Sequence, residues 1–205
     1  ITTTVNANPV ASIVSNDADN IICTGQSVTF TGAPTGTNYN FRVNGLSVQN
    51  GALGTYTTSA LANGNTVDVI VTNASGCTGT SGVITMTVNA NPTAGLTSSD
   101  GDNIICAGQS VTFTGSGGTN YEFFVDGTSV QNGAGTTYVT TGLLNGQVVT
   151  VRVSNASGCS TTSTGISTTV NANPVASIVS NDADNIICVG QSVTFTGAPT
   201  GTNYN

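Results

Sequence analysis

The chain repeats itself. Val5-Asn-Ala-Asn-Pro9 returns as Val88-Asn-Ala-Asn-Pro92 and again as Val170-Asn-Ala-Asn-Pro174, at steps of 83 and 82 residues. Cys23, Cys106 and Cys188 keep the same step, each inside Ile-Ile-Cys-x-Gly-Gln-Ser-Val-Thr-Phe-Thr-Gly. Cys77 and Cys159 keep it inside Asn-Ala-Ser-Gly-Cys. Self-similarity at a fixed period marks an array of like folding units, so whatever one repeat folds into, its neighbours fold into as well. A longer period sits over the short one. Residues 1–40 match 166–205 at 38 of 40 positions, the exceptions being Thr2/Ser167 and Thr24/Val189, whereas the middle repeat differs more, with Pro92-Thr-Ala-Gly-Leu-Thr for Pro9-Val-Ala-Ser-Ile-Val. Two domain types therefore alternate, with a super-repeat of 165 residues. The expected division is 1–7 as the last strand of a preceding repeat, 8–90 and 91–172 as complete domains, and 173–205 as the first part of a further one.

The hydrophobic pattern within a repeat has the period of strands. Val28 and Phe30 alternate with threonines, Tyr39, Phe41 and Val43 with polar residues, and Val67, Val69 and Val71 with Asp68 and Ile70, the valines facing inward. Asn44-Gly45, and Asp126-Gly127 in the second repeat, are the preferred pairs for a two-residue hairpin. Gly82–Val88 reads as the last strand, with Ile84, Met86 and Val88 on one face. About seven short strands per repeat, with turn signals between them and no helical periodicity, predict an all-β chain of tandem immunoglobulin-like (PKD-like) β-sandwich domains in an elongated array.

The Cys-x-Gly-Gln-Ser-Val-Thr-Phe-Thr run followed by Thr-Asn-Ala-Ser-Gly-Cys resembles the PKD-like and Ig-like tandem repeats of very large secreted surface proteins of Bacteroidota, over essentially the whole chain. The resemblance is to the broader Ig-like group: where typical PKD domains carry Trp-Asp-Phe-Gly-Asp-Gly, this chain has Tyr39-Asn-Phe-Arg-Val-Asn-Gly45. It implies secretion, often by the type IX route, and a role in adhesion, gliding or a surface fibre.

Composition narrows the function classes. Charged residues make up 5% of the chain, His is absent, and Arg42 and Arg152 are the only cations against nine acids, so nothing offers a phosphate-binding surface and nucleic acid is excluded as a partner. No apolar run reaches the length of a membrane span, and no membrane insertion is expected. General acid–base work at neutral pH most often uses His, a Ser nucleophile would lack its base, and no cluster of Cys or His suits zinc. An enzyme is not expected.

The five cysteines leave a choice. Pairing within each repeat would join Cys23 to Cys77 and Cys106 to Cys159. Cys23 opens the turn into the second strand, at the end where the chain leaves the domain, whereas Cys77 follows the turn at the opposite end. Strands of seven to nine residues separate these ends by roughly 20 Å, and a disulfide needs Cα atoms within about 7 Å. In a stack, the trailing end of one domain meets the leading end of the next, which predicts Cys23–Cys159 across the joint, with the partners of Cys77, Cys106 and Cys188 in further repeats. Intradomain pairs, free thiols and pairs between chains are the alternatives.

Six of the nine acids fall in a repeated Asp-x-Asp-Asn loop: Asp17, Asp19 and Asn20; Asp100, Asp102 and Asn103; Asp182, Asp184 and Asn185. Two carboxylates beside an amide oxygen suit a hard cation, so Ca²⁺ is the one candidate cofactor. The same residues also form Asx turns, in which the side chains bind their own backbone. Asn73-Ala-Ser75 and Asn155-Ala-Ser157 match the N-glycosylation sequon, although Asn and Gly are equally the residues of a tight turn. Two functions fit: a structural segment of an extracellular bacterial surface stalk or filament, partnered by neighbouring repeats of the same or identical chains, and an adhesin whose repeats bind glycans or surfaces multivalently.

Overall fold

The computed structural model describes residues 1–198; the remainder of the predicted third repeat lies outside the described residues. All regular structure among them is β. The first domain contains β1 (Ser12–Ser15), β2 (Ile21–Cys23), β3 (Val28–Ala33), β4 (Asn38–Val43), β5 (Leu46–Gly51), β6 (Thr55–Thr58), β7 (Thr66–Thr72), β8 (Thr78–Thr80), β9 (Ile84–Thr85) and β10 (Thr87–Asn89). One sheet runs β1-β3-β6; the other runs β5-β4-β7-β8, with β9 also on β7. β10 leaves that sheet and pairs in parallel with β2, Asn89 opposite Cys23.

The second domain repeats the plan with β11 (Gly95–Ser98), β12 (Ile104–Cys106), β13 (Val111–Ser116), β14 (Asn120–Val125), β15 (Thr128–Gly133), β16 (Thr137–Thr140), β17 (Val148–Ser154), β18 (Ser160–Thr162), β19 (Ile166–Ser167) and β20 (Thr169–Asn171). Its sheets are β11-β13-β16 and β15-β14-β17-β18 with β19 on β17, and β12 pairs in parallel with β20. The chain is thus a tandem of immunoglobulin-like sandwiches. A third unit contributes the antiparallel pair β21 (Ser177–Ser180) and β22 (Phe195–Ala198).

The alternation read from the sequence is the alternation of the cores. Phe30, Phe41, Val67, Val69, Val71 and Met86 are fully buried in the first domain, as are Phe113, Phe123, Val149, Val151 and Val153 in the second. Burying a Val or Phe side chain contributes on the order of 1.5–3 kcal/mol, which is how repeats this small hold together. Asn44 and Gly45 turn the β4–β5 hairpin with φ of 52° and 78°, the left-handed pair that suits the strand twist. Tyr39 caps the core edge: its hydroxyl accepts from Gly36 N at 2.8 Å and donates to Pro34 O at 3.2 Å.

The last strand departs from the single run expected over Gly82–Val88. Within that span it is divided at Met86 into β9 and β10, Met86 N bonding Asn65 O and Met86 O accepting from Gly64 N, each at 2.9 Å. β8 precedes it and is set off by Ser81, whose hydroxyl accepts from Val69 N at 3.0 Å and donates to Gly82 O at 2.7 Å. Thr87 N then bonds Asn20 O, and the strand crosses to β2. Residues 1–11, which include the segment expected as a preceding repeat's last strand, contain no strand. A strand is held by its ladder partner, and among the described residues nothing pairs with residues 1–7 as β7 and β2 pair with Ile84–Asn89.

Candidate functional site: the domain joint

The repeated cysteines and the repeated Val-Asn-Ala-Asn-Pro motif meet at the boundary between domains. Cys23 lies at the end of β2, where Gln26 clips it on both sides: Gln26 N donates to Cys23 O at 2.9 Å and Cys23 N donates to Gln26 Oε1 at 3.1 Å. Gly25, at φ 82°, supplies the left-handed residue of this turn. Cys159 is clipped in the same manner by Asn155, whose Oδ1 accepts from both Ser157 N and Cys159 N at 3.1 Å. Its own turn needs Gly158 at φ 79°.

These two rigidly presented sulfurs are joined. Cys23 and Cys159 form a disulfide with Cα atoms 5.6 Å apart across a sequence separation of 136 residues. Cys159 is 1% exposed and Cys23 is half-buried, so the bond is covered mainly from the side of the second domain. The alternative pairs Cys23–Cys77 and Cys106–Cys159 do not form, because one member of each is committed to the other's domain. Cys77, Cys106 and Cys188 are unpaired among the described residues.

The linker between the domains is held residue by residue. Asn89 O accepts from Thr24 N at 2.9 Å and from the Thr24 hydroxyl at 3.1 Å. Ala90 O accepts from Asn155 Nδ2 of the second domain at 2.9 Å. Asn91 Nδ2 donates back to Thr24 O of the first domain at 3.0 Å. The Val-Asn-Ala-Asn-Pro motif is therefore a clasped hinge. Its asparagines, and Asn155 on the far side, are joint-forming residues not apparent from the sequence; their recurrence at the same step as the cysteines was the available signal. Asn73 has the same set of bonds, donating to Ala7 O at 3.0 Å and accepting from Ser75 N and Cys77 N. The side-chain amides of both sequons are thereby engaged.

The acidic loops close on themselves. Oδ1 of Asp17 and Oδ1 of Asp19 both accept from Ile21 N at 3.1 Å, and Asp100 and Asp102 do the same with Ile104 N at 3.1 and 3.0 Å. In the third loop Asp184 accepts from Ile186 N at 3.1 Å, while Asp182 accepts from Asn185 N at 3.0 Å. This is Asx-turn geometry, with Asn20, Asn103 and Asn185 in the left-handed region at φ 58°, 57° and 57°. Hydrogen bonding to the Asp100 side chain, then to the Ile104 amide, holds Asp102 below the usual carboxylate range; Asp184 is held down likewise by Asp182 and Ile186. Asn20 Oδ1 and Asn103 Oδ1 are buried without a hydrogen-bond partner. No group of three or more His, Cys, Asp or Glu that could hold a metal ion comes together among the described residues.

Both cations are spent on the sheets. Arg42 pairs bidentately with Asp68 across β4 and β7, at 2.8 and 2.5 Å, and Arg152 pairs with Glu122 across β17 and β14.

No family model and no curated protein matches the chain. Among solved structures it is similar to the fibronectin(III)-like modules of Clostridium thermocellum CbhA, at 12% identity and a TM-score of 0.45, over 80% of this chain and 95% of that one. It is also similar to murine CEACAM1b, at 10% identity and a TM-score of 0.37, over 78% and 100%. A third is a 1.5-MDa bacterial ice-binding adhesin, at 18% identity and a TM-score of 0.36, over 88% and 72%.

Proposed function

We propose that this chain is a structural segment of an extracellular bacterial surface stalk or filament, and that its working part is the joint rather than either domain face. The observation that carries this reading is the Cys23–Cys159 disulfide crossing from one domain to the next. A flexible string of domains needs only a linker. Here a disulfide and three clasped linker residues add further restraints at the same boundary. Disulfides persist in oxidising compartments, which supports a secreted location, and the resemblance to surface repeats of Bacteroidota agrees with it. Neighbouring repeats are the partners such a segment needs.

Electron microscopy of the protein from its source tests the reading. The expected image is a regular fibre whose axial repeat equals one or two domains and whose straightness is lost in reductant. Binding of the isolated two-domain unit to a glycan array, with no regular fibre seen, would instead establish the adhesin.

A further inference from the structure

The contacts of the joint between the two complete domains recur at the leading end of the first and the trailing end of the second. At the leading end of the first domain, Asn73 Nδ2 donates to Ala7 O at 3.0 Å, as Asn155 does to Ala90 O, and the Cys77 thiol donates to Asn6 O at 3.6 Å, where Cys159 Sγ lies 3.8 Å from Asn89 O. At the trailing end of the second domain, Ala107 N donates to Asn171 O at 2.9 Å and Asn173 Nδ2 donates to Ala107 O at 2.9 Å, the bonds that Thr24, Asn89 and Asn91 make in the closed joint. Gln109 clips Cys106 N at 3.1 Å, as Gln26 clips Cys23. At both ends the linker is thus docked and the cysteine oriented as in the closed joint.

We propose that Cys77 and Cys106 are disulfide sites for adjoining copies of this repeat, Cys77 taking an Ile-Ile-Cys partner and Cys106 an Asn-Ala-Ser-Gly-Cys partner. This rests on the joint reading above and extends it to every boundary. Each bond forms as two thiols lose two protons and two electrons to a protein disulfide of the oxidising compartment, which is released as a dithiol by thiol–disulfide exchange.

The alternation of domain types makes the pairing readable. Cys23 is followed by Thr24 and Cys106 by Ala107; Cys77 is followed by Thr78 and Cys159 by Ser160. Joint pairing links Cys-Thr-Gly to Gly-Cys-Ser and Cys-Ala-Gly to Gly-Cys-Thr. Pairing inside domains gives the crossed set, Cys-Thr-Gly with Gly-Cys-Thr and Cys-Ala-Gly with Gly-Cys-Ser. The test is mass spectrometry of the intact protein from its source, with free thiols blocked before digestion and no reductant added. The expected result is a linked Cys-Ala-Gly/Gly-Cys-Thr peptide beside the Cys-Thr-Gly/Gly-Cys-Ser peptide of Cys23 and Cys159. Recovery of Cys77 and Cys106 in blocked form, with the Cys23–Cys159 peptide intact, overturns the proposal and leaves the proposed function standing. The crossed set, or blocked Cys23 and Cys159, overturns both.

Discussion

Force applied along the chain should largely bypass the domains. The Cys23–Cys159 bond shunts the 136 residues between its ends out of the load path. At about 3.3–3.6 Å per extended residue, that segment holds roughly 450–490 Å of contour. Its ends are 5.6 Å apart when folded, so almost all of that length is withheld from extension. Single-molecule pulling between residues 8 and 172 should therefore give a short total extension under oxidising conditions. Replacing both cysteines by serine, or adding reductant, should lengthen it by roughly 450–490 Å as both sandwiches unravel. The comparison is internal, because the domains and attachment points do not change. Equal total extension with and without the disulfide would refute the reasoning.

Other perturbations separate the joint from the domains it connects. Asn155→Ala removes the clip on Cys159 and the bond to Ala90 O; the unfolding free energy from denaturant titration should fall by about 1–3 kcal/mol, with faster reduction of the Cys23–Cys159 bond by a small thiol. Thr168 is 1% exposed and its hydroxyl has no partner, at the position that Met86 fills in the first domain. Thr168→Val should therefore stabilise the second domain by about 1 kcal/mol in denaturant titration; a loss of stability would contradict the packing described. Because the Asp17, Asp19, Asp100 and Asp102 carboxylates are already closed on backbone amides, EDTA should leave the melting temperature unchanged. A drop of several degrees, restored by Ca²⁺, would put a cation on those loops.

The core was legible because it depends on a local signal. Val67, Val69 and Val71 alternate in sequence and are buried together, and Asn44-Gly45 can turn a hairpin without help from the rest of the fold. The separation of β8 from β9 at Ser81 was not legible. Ser81 imitates a backbone partner for Val69 N, and nothing in Gly-Thr-Ser-Gly distinguishes that serine from an exposed one. The crossing of β10 to β2 is also a non-local pairing, between Asn89 and Cys23, that no window of sequence contains. The cysteines lay between these cases. Strand length and the ends of the sandwich placed them at boundaries, but which sulfur meets which depends on how successive domains dock. The asparagines show the limit most clearly. Asn73 and Asn155 read as turn residues or sequons, yet each amide works on both sides of a joint, capping its own turn while holding the incoming linker.

If the joint is the functional element, its stiffness is the quantity to measure. Backbone ¹⁵N relaxation of the two-domain chain reads it directly, since the domains share a rotational correlation time only when they tumble as one body. The joint predicts a common correlation time in the oxidised protein and separate, shorter times after reduction of Cys23–Cys159. Independent tumbling while the disulfide is intact would contradict a mechanical role for the joint.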